Sequence, residues 1–263
     1  MASAAQDEVL SPEDRDFVTA LASGLEVILA FDEEHPRMTL SEVAARTGMN
    51  RARARRFLLT LHALGYVRKE QRVFELAPRV LQLGYAFLSA NNYRSVIQQV
   101  LEDITRESGE SSSLGVLDGE EVTYVARSSS RHRLMAITLS VGTRLPAAYT
   151  SMGRVLLAQL PDGELDAWLE RAVLERHTEK TITDKAELRK CILQVRQQGY
   201  AIADQELDSG LRSIAVPAFD ANGKLLGAIN ISTNAARVSH ETLMGQYLTL
   251  LQRKTREIRE SVI

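Results

Sequence analysis

The residues of this chain with the most evident chemistry are four arginines. Arg51, Arg53, Arg55 and Arg56 open the run NRARARRFLLTLHALGYV, residues 50–67. A guanidinium neutralises phosphate, and its planar fork matches the O6/N7 edge of guanine. Phe57, Leu58, Leu61 and Leu64 follow at helical spacing. At about 100° per residue, Ala54, Phe57, Leu58, Leu61 and Leu64 share one side of a helix, and Ala52 and Arg56 lie nearly opposite. Arg55 is close to that outer face. Arg51 and Arg53 flank it near the N-terminal end, which a groove-binding helix brings to base edges. The small Ala52 permits close backbone approach. Arg68, Lys69 and Arg72 follow, placed to touch flanking phosphate. The competing reading is a solvated charged face. Against it, Arg46 to Arg72 holds eight basic residues and one acid, Glu70, a local charge of +7 in a chain whose net charge is −2.

The surrounding pattern says what positions these arginines. Phe17, Leu21, Leu25, Ile28 and Leu29 form a helical stripe that Pro36 closes off. Thr39 and Glu42 have capping-box spacing before a short helix with Leu40, Val43 and Ala44 on its apolar side. Gly48 supplies a turn before the basic helix, and Gly65 ends that helix. YVRKEQRVFEL predicts two strands around a turn at Glu70–Gln71. Helix, helix, turn, helix, hairpin is the order of a winged helix-turn-helix, assigned to residues 17–76 behind a flexible segment 1–16. Pro78 opens PRVLQLGYAFLSANN, a helix too apolar for a free linker; residues 77–91 are expected to pack between domains or against a second subunit.

From residue 92 the texture changes. A helix over 93–108 precedes strand-like SSSLGVL, EVTYVAR and LMAITLS. A loop then enters a helix near Ser151, with further helical patterns over 162–176 and 184–198. GYAIAD, SIAVPAF and KLLGAINIST read as an antiparallel meander turned at Asn222-Gly223, and a last helix starts near Ser239. The fold class is α+β in two domains, the second spanning 92–263.

With 263 residues the chain accommodates two domains. Its single cysteine, Cys191, excludes an internal disulfide or a multi-cysteine metal site. It shares a helical stripe with Leu188, Ile192 and Val195 and reads as a core thiol. No apolar run approaches the ~20 residues of a membrane span, and the polar N-terminus is unlike a secretory signal. A cytoplasmic protein with no membrane association is expected. The five histidines are scattered, and neither a nucleotide-binding glycine fingerprint nor a nucleophile elbow is found. TSMGR places a serine before a helix without a candidate base. No catalytic residue, metal or cofactor is expected, and the chain reads as a non-enzyme.

LSEVAARTGMNRARARRFLLTLHALGYV with PRVLQLGYAFL, and GTRLPAAYTSMGRVLLA with GYAIADQELDSGLRSIAVPAFDANGKLLGAINIST, resemble the IclR family of bacterial transcriptional regulators over nearly the whole chain. RVLQLGYAFLS and TSMGRVLLA further resemble its branch controlling aromatic-acid catabolism through the β-ketoadipate pathway. Members of that branch answer to protocatechuate, 4-hydroxybenzoate, muconate or β-ketoadipate. The resemblance implies a winged helix-turn-helix joined by a linker helix to a GAF-like antiparallel-sheet effector domain. It implies dimers, and dimers of dimers, on palindromic double-stranded DNA. The DNA-contacting set is then Asn50, Arg51, Ala52, Arg53, Arg55, Arg56, Arg68, Lys69 and Arg72. Many members start the recognition helix with Ser or Thr where Ala52 and Arg53 stand here, so their operator does not carry over.

Mapped residue by residue, the family's pocket falls on Thr150, Ser151 and Met152 at a helix start, and on Ser213, Asn230 and Ser232. Asn230 and Ser232, two apart on a strand, face one side. Glyoxylate- and pyruvate-responding members add an Asp where this chain has Ala203, with Asp204 beside it; a shifted contact suits a larger aromatic acid. Arg212 is a bidentate partner for a carboxylate, or equally a loop clamp paired with Glu206 or Asp208. For the serines and Asn230 the alternative is a polar strand end satisfied by backbone. The expected function is a ligand-responsive DNA-binding regulator of aromatic-acid catabolism. The alternatives are a regulator sensing another small organic acid, and a DNA-binding module without an effector.

Overall fold

The chain divides into two units, Met1–Phe87 and Leu88–Ile263. The computed structural model describes residues 10–84, 94–130 and 139–262. Among these, no helix is long and apolar enough to cross a membrane.

In the first unit α1 (Thr19–Leu29) leads to a short strand β1 (Arg37–Thr39), then α2 (Leu40–Arg46), α3 (Arg51–Ala63) and the hairpin strands β2 (Val67–Glu70) and β3 (Val73–Leu76). The capping box of α2 forms. Thr39 Oγ1 accepts from the Glu42 N–H, and the Glu42 carboxylate accepts from the Thr39 N–H at 2.6 Å. Gly48 turns the chain between α2 and α3 at φ +64°, a left-handed conformation that side chains resist. The hairpin turns at Gln71–Arg72, one residue later than predicted. Strand β1, too short to show periodicity, pairs with β3 to complete the order β1-β3-β2. Val27, Phe31, Met38, Val43, Leu58, Leu61, Val67 and Phe74 form the core.

Part of the predicted apolar stripe of α1 faces outward. Ser23 and Val27 are buried, while Leu21, Leu25 and Leu29 are 64%, 46% and 79% exposed. The smaller side chains Ser23 and Val27 let α1 approach its neighbours closely, and the leucines are left on the opposite side. Leu64, placed on the buried side of the basic helix by its spacing, is also exposed, because α3 ends at Ala63 and Leu64 caps it. The linker begins with a 3₁₀ turn at Pro78–Val80 and is helical over residues 81–84. The rest of the predicted linker helix lies outside the described residues.

The second unit is built on a six-stranded antiparallel sheet. Its strands are β4 (Ser111–Asp118), β5 (Glu121–Ser128), β6 (Arg144–Pro146), β7 (Ala201–Asp204), β8 (Leu211–Phe219) and β9 (Leu225–Asn234), in the order β6-β5-β4-β9-β8-β7. The meander β7-β8-β9 forms as predicted, with Gly223 at φ +82° in the β8–β9 turn. The predicted strand LMAITLS falls mainly outside the described residues. One face carries α4 (Arg94–Ser108) and α9 (Leu248–Ser261), whose Ile97, Leu101, Ile104, Leu251 and Ile258 pack on Leu114, Ile214, Ile229 and Ile231. A short α8 (His240–Thr242) and a π turn (Leu243–Tyr247) lead into α9.

The other face carries α5 (Ser151–Leu157), α6 (Asp162–Arg171) and α7 (Lys185–Gln198). Their Val155, Leu165, Trp168, Leu188 and Ile192 pack over Val122, Ala201, Ala215 and Ala228. Helix α6 stops at Arg171, short of the predicted 176, because Ala172 is extended at φ −56°, ψ 129°. Cys191 is half-buried rather than fully in the core, and burial pushes its thiol pKa up.

Candidate nucleic-acid interface and effector pocket

Helix α3 is held at its start by Asn50, whose side chain accepts from the Arg53 N–H at 2.8 Å. Asn50 therefore has a capping role in addition to its position at the proposed interface. Ala54, Leu58 and Leu61 face the core, and Ala52, Arg51, Arg55 and Arg56 are exposed. So are Arg68, Lys69 and Arg72 on and beside the hairpin. None of these six cations has an acidic partner among the described residues. The single acid of the window, Glu70, is bound by Arg37 at 2.7 Å. The free positive charge is thus concentrated on one helix and the wing beside it, as a polyanion partner requires.

Two arginines of the basic window are committed to the protein itself. Arg46 pairs with Asp32 at 2.5 Å and donates to the Ala30 carbonyl at 2.9 Å, which ties α2 to the end of α1. Arg53 donates to Ser23 Oγ at 2.6 Å, and its guanidinium carbon lies 6.0 Å from the Phe57 ring centroid. That bond draws Arg53 toward α1, away from the base-edge role its spacing suggested.

On the second unit, strand register decides which polar side chains meet. Ser111 pairs with Ser232, Ser232 with Ser213, and Ser213 with Ala203; Ser113 pairs with Asn230. Paired residues share a face. The result is a polar stripe across the side of the sheet that carries α5. A small, largely buried cavity lies there. Thr150, Ser213, Asn230 and Ser232 supply its polar wall, and Tyr124, Leu145, Tyr149 and Leu207 much of its apolar wall. Asn230 donates to Ser232 Oγ at 2.9 Å, and its Oδ1 has no hydrogen-bond partner among the described residues. Burial pushes the Tyr124 phenol up to about 12, so it is neutral near pH 7.

The other sequence-derived pocket residues are placed differently. Ser151 reaches the cavity wall indirectly, donating to Ser213 Oγ at 2.8 Å. Met152 is fully buried and packs toward Gly115 in the core. Ala203 lines the cavity, so Asp204, next along an alternating strand, turns away from it. Asp204 accepts from Arg212 Nε at 2.7 Å and Lys180 Nζ at 3.1 Å. Burial raises the Asp204 pKa, but these hydrogen bonds outweigh it and hold the carboxyl below its ordinary range. Arg212 also donates to the Val238 carbonyl at 2.7 Å. It is held within the protein, but as a clamp between strands through Asp204, not as the loop clamp to Glu206 or Asp208 that was the alternative expectation. Of the residues expected in the pocket, Ser151, Met152, Asp204 and Arg212 do not line this cavity.

Glu206 is engaged elsewhere. It lines the cavity and takes a bidentate pair from Arg154, with Nη1 2.6 Å from Oε1 and Nη2 bonded to Oε2. Arg154 Nε donates to the Ala148 carbonyl at 3.1 Å, and Thr181 Oγ1 to the Glu206 carbonyl at 2.7 Å. Both charged side chains are nearly fully buried. Sequence reading missed this pair and the tyrosines. Alternation along EVTYVAR carries the only signal, placing Val122 and Tyr124 on one face.

The comparisons with known proteins cover the same two units. The model of the IclR helix-turn-helix domain matches residues 20–71, and that of the bacterial transcriptional regulator IclR C-terminal domain matches residues 85–260. The chain is 44% identical to the Pca regulon regulatory protein of Pseudomonas putida over 93% of its own length and 84% of the relative's. It is 36% identical to the p-hydroxybenzoate hydroxylase transcriptional activator of Acinetobacter baylyi, covering 94% and 93%. Among solved structures, it resembles the inducer-binding domain of the PobR transcription factor from Acinetobacter, a double mutant in complex with 3-hydroxybenzoic acid. The TM-score is 0.59 at 34% identity, covering 63% of this chain and 96% of that one. A helix-turn-helix with unpaired cations and a sheet domain with a buried polar-lined cavity thus match the two family models in order and extent: the chain belongs to the IclR family of bacterial transcriptional regulators.

Proposed function

We propose that this protein is a cytoplasmic DNA-binding regulator whose second unit senses an aromatic acid, and that it controls genes of aromatic-acid catabolism. The ligand reading rests on the cavity. It combines a tyrosine- and leucine-lined body with a polar wall at Thr150, Ser213, Asn230 and Ser232. Such a division suits a small planar molecule carrying polar groups at its edge. The named relatives support the class: the p-hydroxybenzoate hydroxylase transcriptional activator is one, and the inducer-binding domain of PobR, as a double mutant, holds 3-hydroxybenzoic acid.

The DNA partner is a palindromic operator bound by a dimer, itself able to pair into a tetramer. Supporting self-association, Val18, Leu21, Leu25 and Leu29 form an exposed apolar stripe on α1. A contiguous patch of this kind marks a protein interface more often than a free surface. Arg51, Arg55 and Arg56 enter the groove, and Arg68, Lys69 and Arg72 meet phosphate beside it. Effector binding shifts the equilibrium between two arrangements by the difference in its affinity for them.

A thermal-shift screen tests the reading, with protocatechuate and 4-hydroxybenzoate set against pyruvate and adipate. The aromatic acids are expected to raise the melting temperature, and Ser213→Leu to abolish that rise while preserving DNA binding in a gel shift. A rise with the short acids alone would overturn the aromatic assignment.

A further inference from the structure

Strand β4 opens Ser111-Ser112-Ser113, and β5 ends at Arg127-Ser128 with Ser129 following. Register pairs Arg127 with Ser113, and Ser113 with Asn230 of the cavity wall. The three side chains therefore share the face of the sheet on which the cavity lies. Arg127 is half-buried, and among the described residues its side-chain hydrogen bonds go to neutral hydroxyls. Nη1 donates to Ser113 Oγ at 3.0 Å and Nε to Ser129 Oγ at 3.2 Å. Among the described residues, the other buried or half-buried arginines of this unit have acids: Arg154 has Glu206, Arg189 has Asp166, Arg196 has Asp162 and Arg212 has Asp204. Arg127 has no carboxylate partner among the described residues, and residues 131–138, RHRLMAIT, contain no acid.

A guanidinium drawn out of water without a counter-charge is unfavourable, and an anion beside it offsets the cost. Burial accordingly depresses the Arg127 pKa. The opposing influence is Tyr124, which lines the cavity and stands within electrostatic reach. On the same face, the Asn230 Oδ1 acceptor has no partner among the described residues and can take a donor group of the ligand, such as a phenol hydroxyl. The start of α5 does not compete for the charge. That helix has only seven residues, its Gly153 N–H is satisfied by Thr150 Oγ1, and the Ser151 hydroxyl is bonded to Ser213.

We propose that Arg127 is the anion-binding residue of the effector pocket and receives the carboxylate of the acid that the cavity admits. The proposal rests on the reading of this unit as an effector sensor. Carboxylate recognition is then set from the β4–β5 side of the sheet, and the Ser113 and Ser129 hydroxyls hold the guanidinium plane in position for a bidentate contact.

Calorimetric titration of the full chain with 4-hydroxybenzoate and its uncharged isostere 4-hydroxybenzamide tests this. The wild type is expected to bind the acid at least tenfold more tightly than the amide. Arg127→Gln should weaken acid binding at least tenfold and leave amide binding within about twofold. Arg127→Lys, which keeps the charge and loses the fork, should fall between them. Unchanged acid binding by Arg127→Gln overturns the proposal. So does equal loss of acid and amide, which marks a merely structural role. If the wild type ignores aromatic acids and binds pyruvate or adipate, the aromatic reading falls and the same variants are judged on that acid. If it binds no carboxylate, the sensor reading falls and the proposal with it.

Discussion

The Arg53 guanidinium donates to Ser23 Oγ across the α1–α3 interface, a 2.6 Å bond between residues thirty positions apart. One of the four arginines of the basic helix thus helps to fix the angle at which the other three are presented. Loss of a single hydrogen bond of this kind costs about 1 kcal/mol. Ser23→Ala and Arg53→Ala are each expected to lower stability by that order in urea denaturation, and the double variant by little more than the larger single effect. Strict additivity would show that the bond carries no coupling energy.

Arg55 and Arg56 are exposed and have no acidic partner among the described residues. Their replacement by Ala should weaken DNA binding and flatten the plot of log affinity against log salt by about 0.9 per phosphate contact removed. The melting temperature should be unchanged. Wild-type DNA binding by the double variant in a gel shift would remove α3 from the groove.

The Arg154–Glu206 pair joins α5 to the loop after β7, with both side chains out of water. Arg154→Met leaves a buried carboxylate alone and is expected to cost about 3–5 kcal/mol. Arg154→Met with Glu206→Leu should recover much of that loss, because no lone charge remains. Denaturant melts of the two single variants and the double variant decide it. A double variant as unstable as the sum of the singles would contradict the account.

Asp204 has a folded pKa held below its unfolded value by Arg212 and Lys180 against the opposing effect of burial. Its stabilising contribution is therefore present above the ordinary carboxylate pKa, about 4, and is lost as pH falls through the folded value. Asp204→Asn should lower the melting temperature at pH 5–7, with the gap to the wild type closing below about pH 4. A gap constant down to pH 3 would show that the effect is not one of charge.

A Cβ on Gly153 would stand 2.1 Å from the Ala147 carbonyl oxygen, so the chain entering α5 cannot accept one without moving backbone. Gly153→Ala is expected to destabilise by about 3 kcal/mol or more. Gly163→Ala in α6 meets nothing within 4 Å and should be neutral or stabilising by up to about 1 kcal/mol. Equal melting temperatures for the two variants would refute the packing argument.

The sequence by itself determined what depends on near neighbours. Thr39 with Glu42, Gly48 and Gly65 as turns, Asn222-Gly223 between β8 and β9, and the excess of cations from Arg51 to Arg72 all act within a few residues, so their spacing carries the information. Asn230 and Ser232 on one face follow from strand alternation in the same way. The tertiary structure decided which charges remain free and which polar groups meet. Arg46 was given to Asp32, Arg53 to Ser23, Arg212 to Asp204 and Arg154 to Glu206. Ser113 was set between Arg127 and Asn230, and the leucines of α1 were left facing outward. Helical and strand periods place a side chain on a face of its own element. They do not say which other element covers that face, and a charge is free or neutralised according to what lies there.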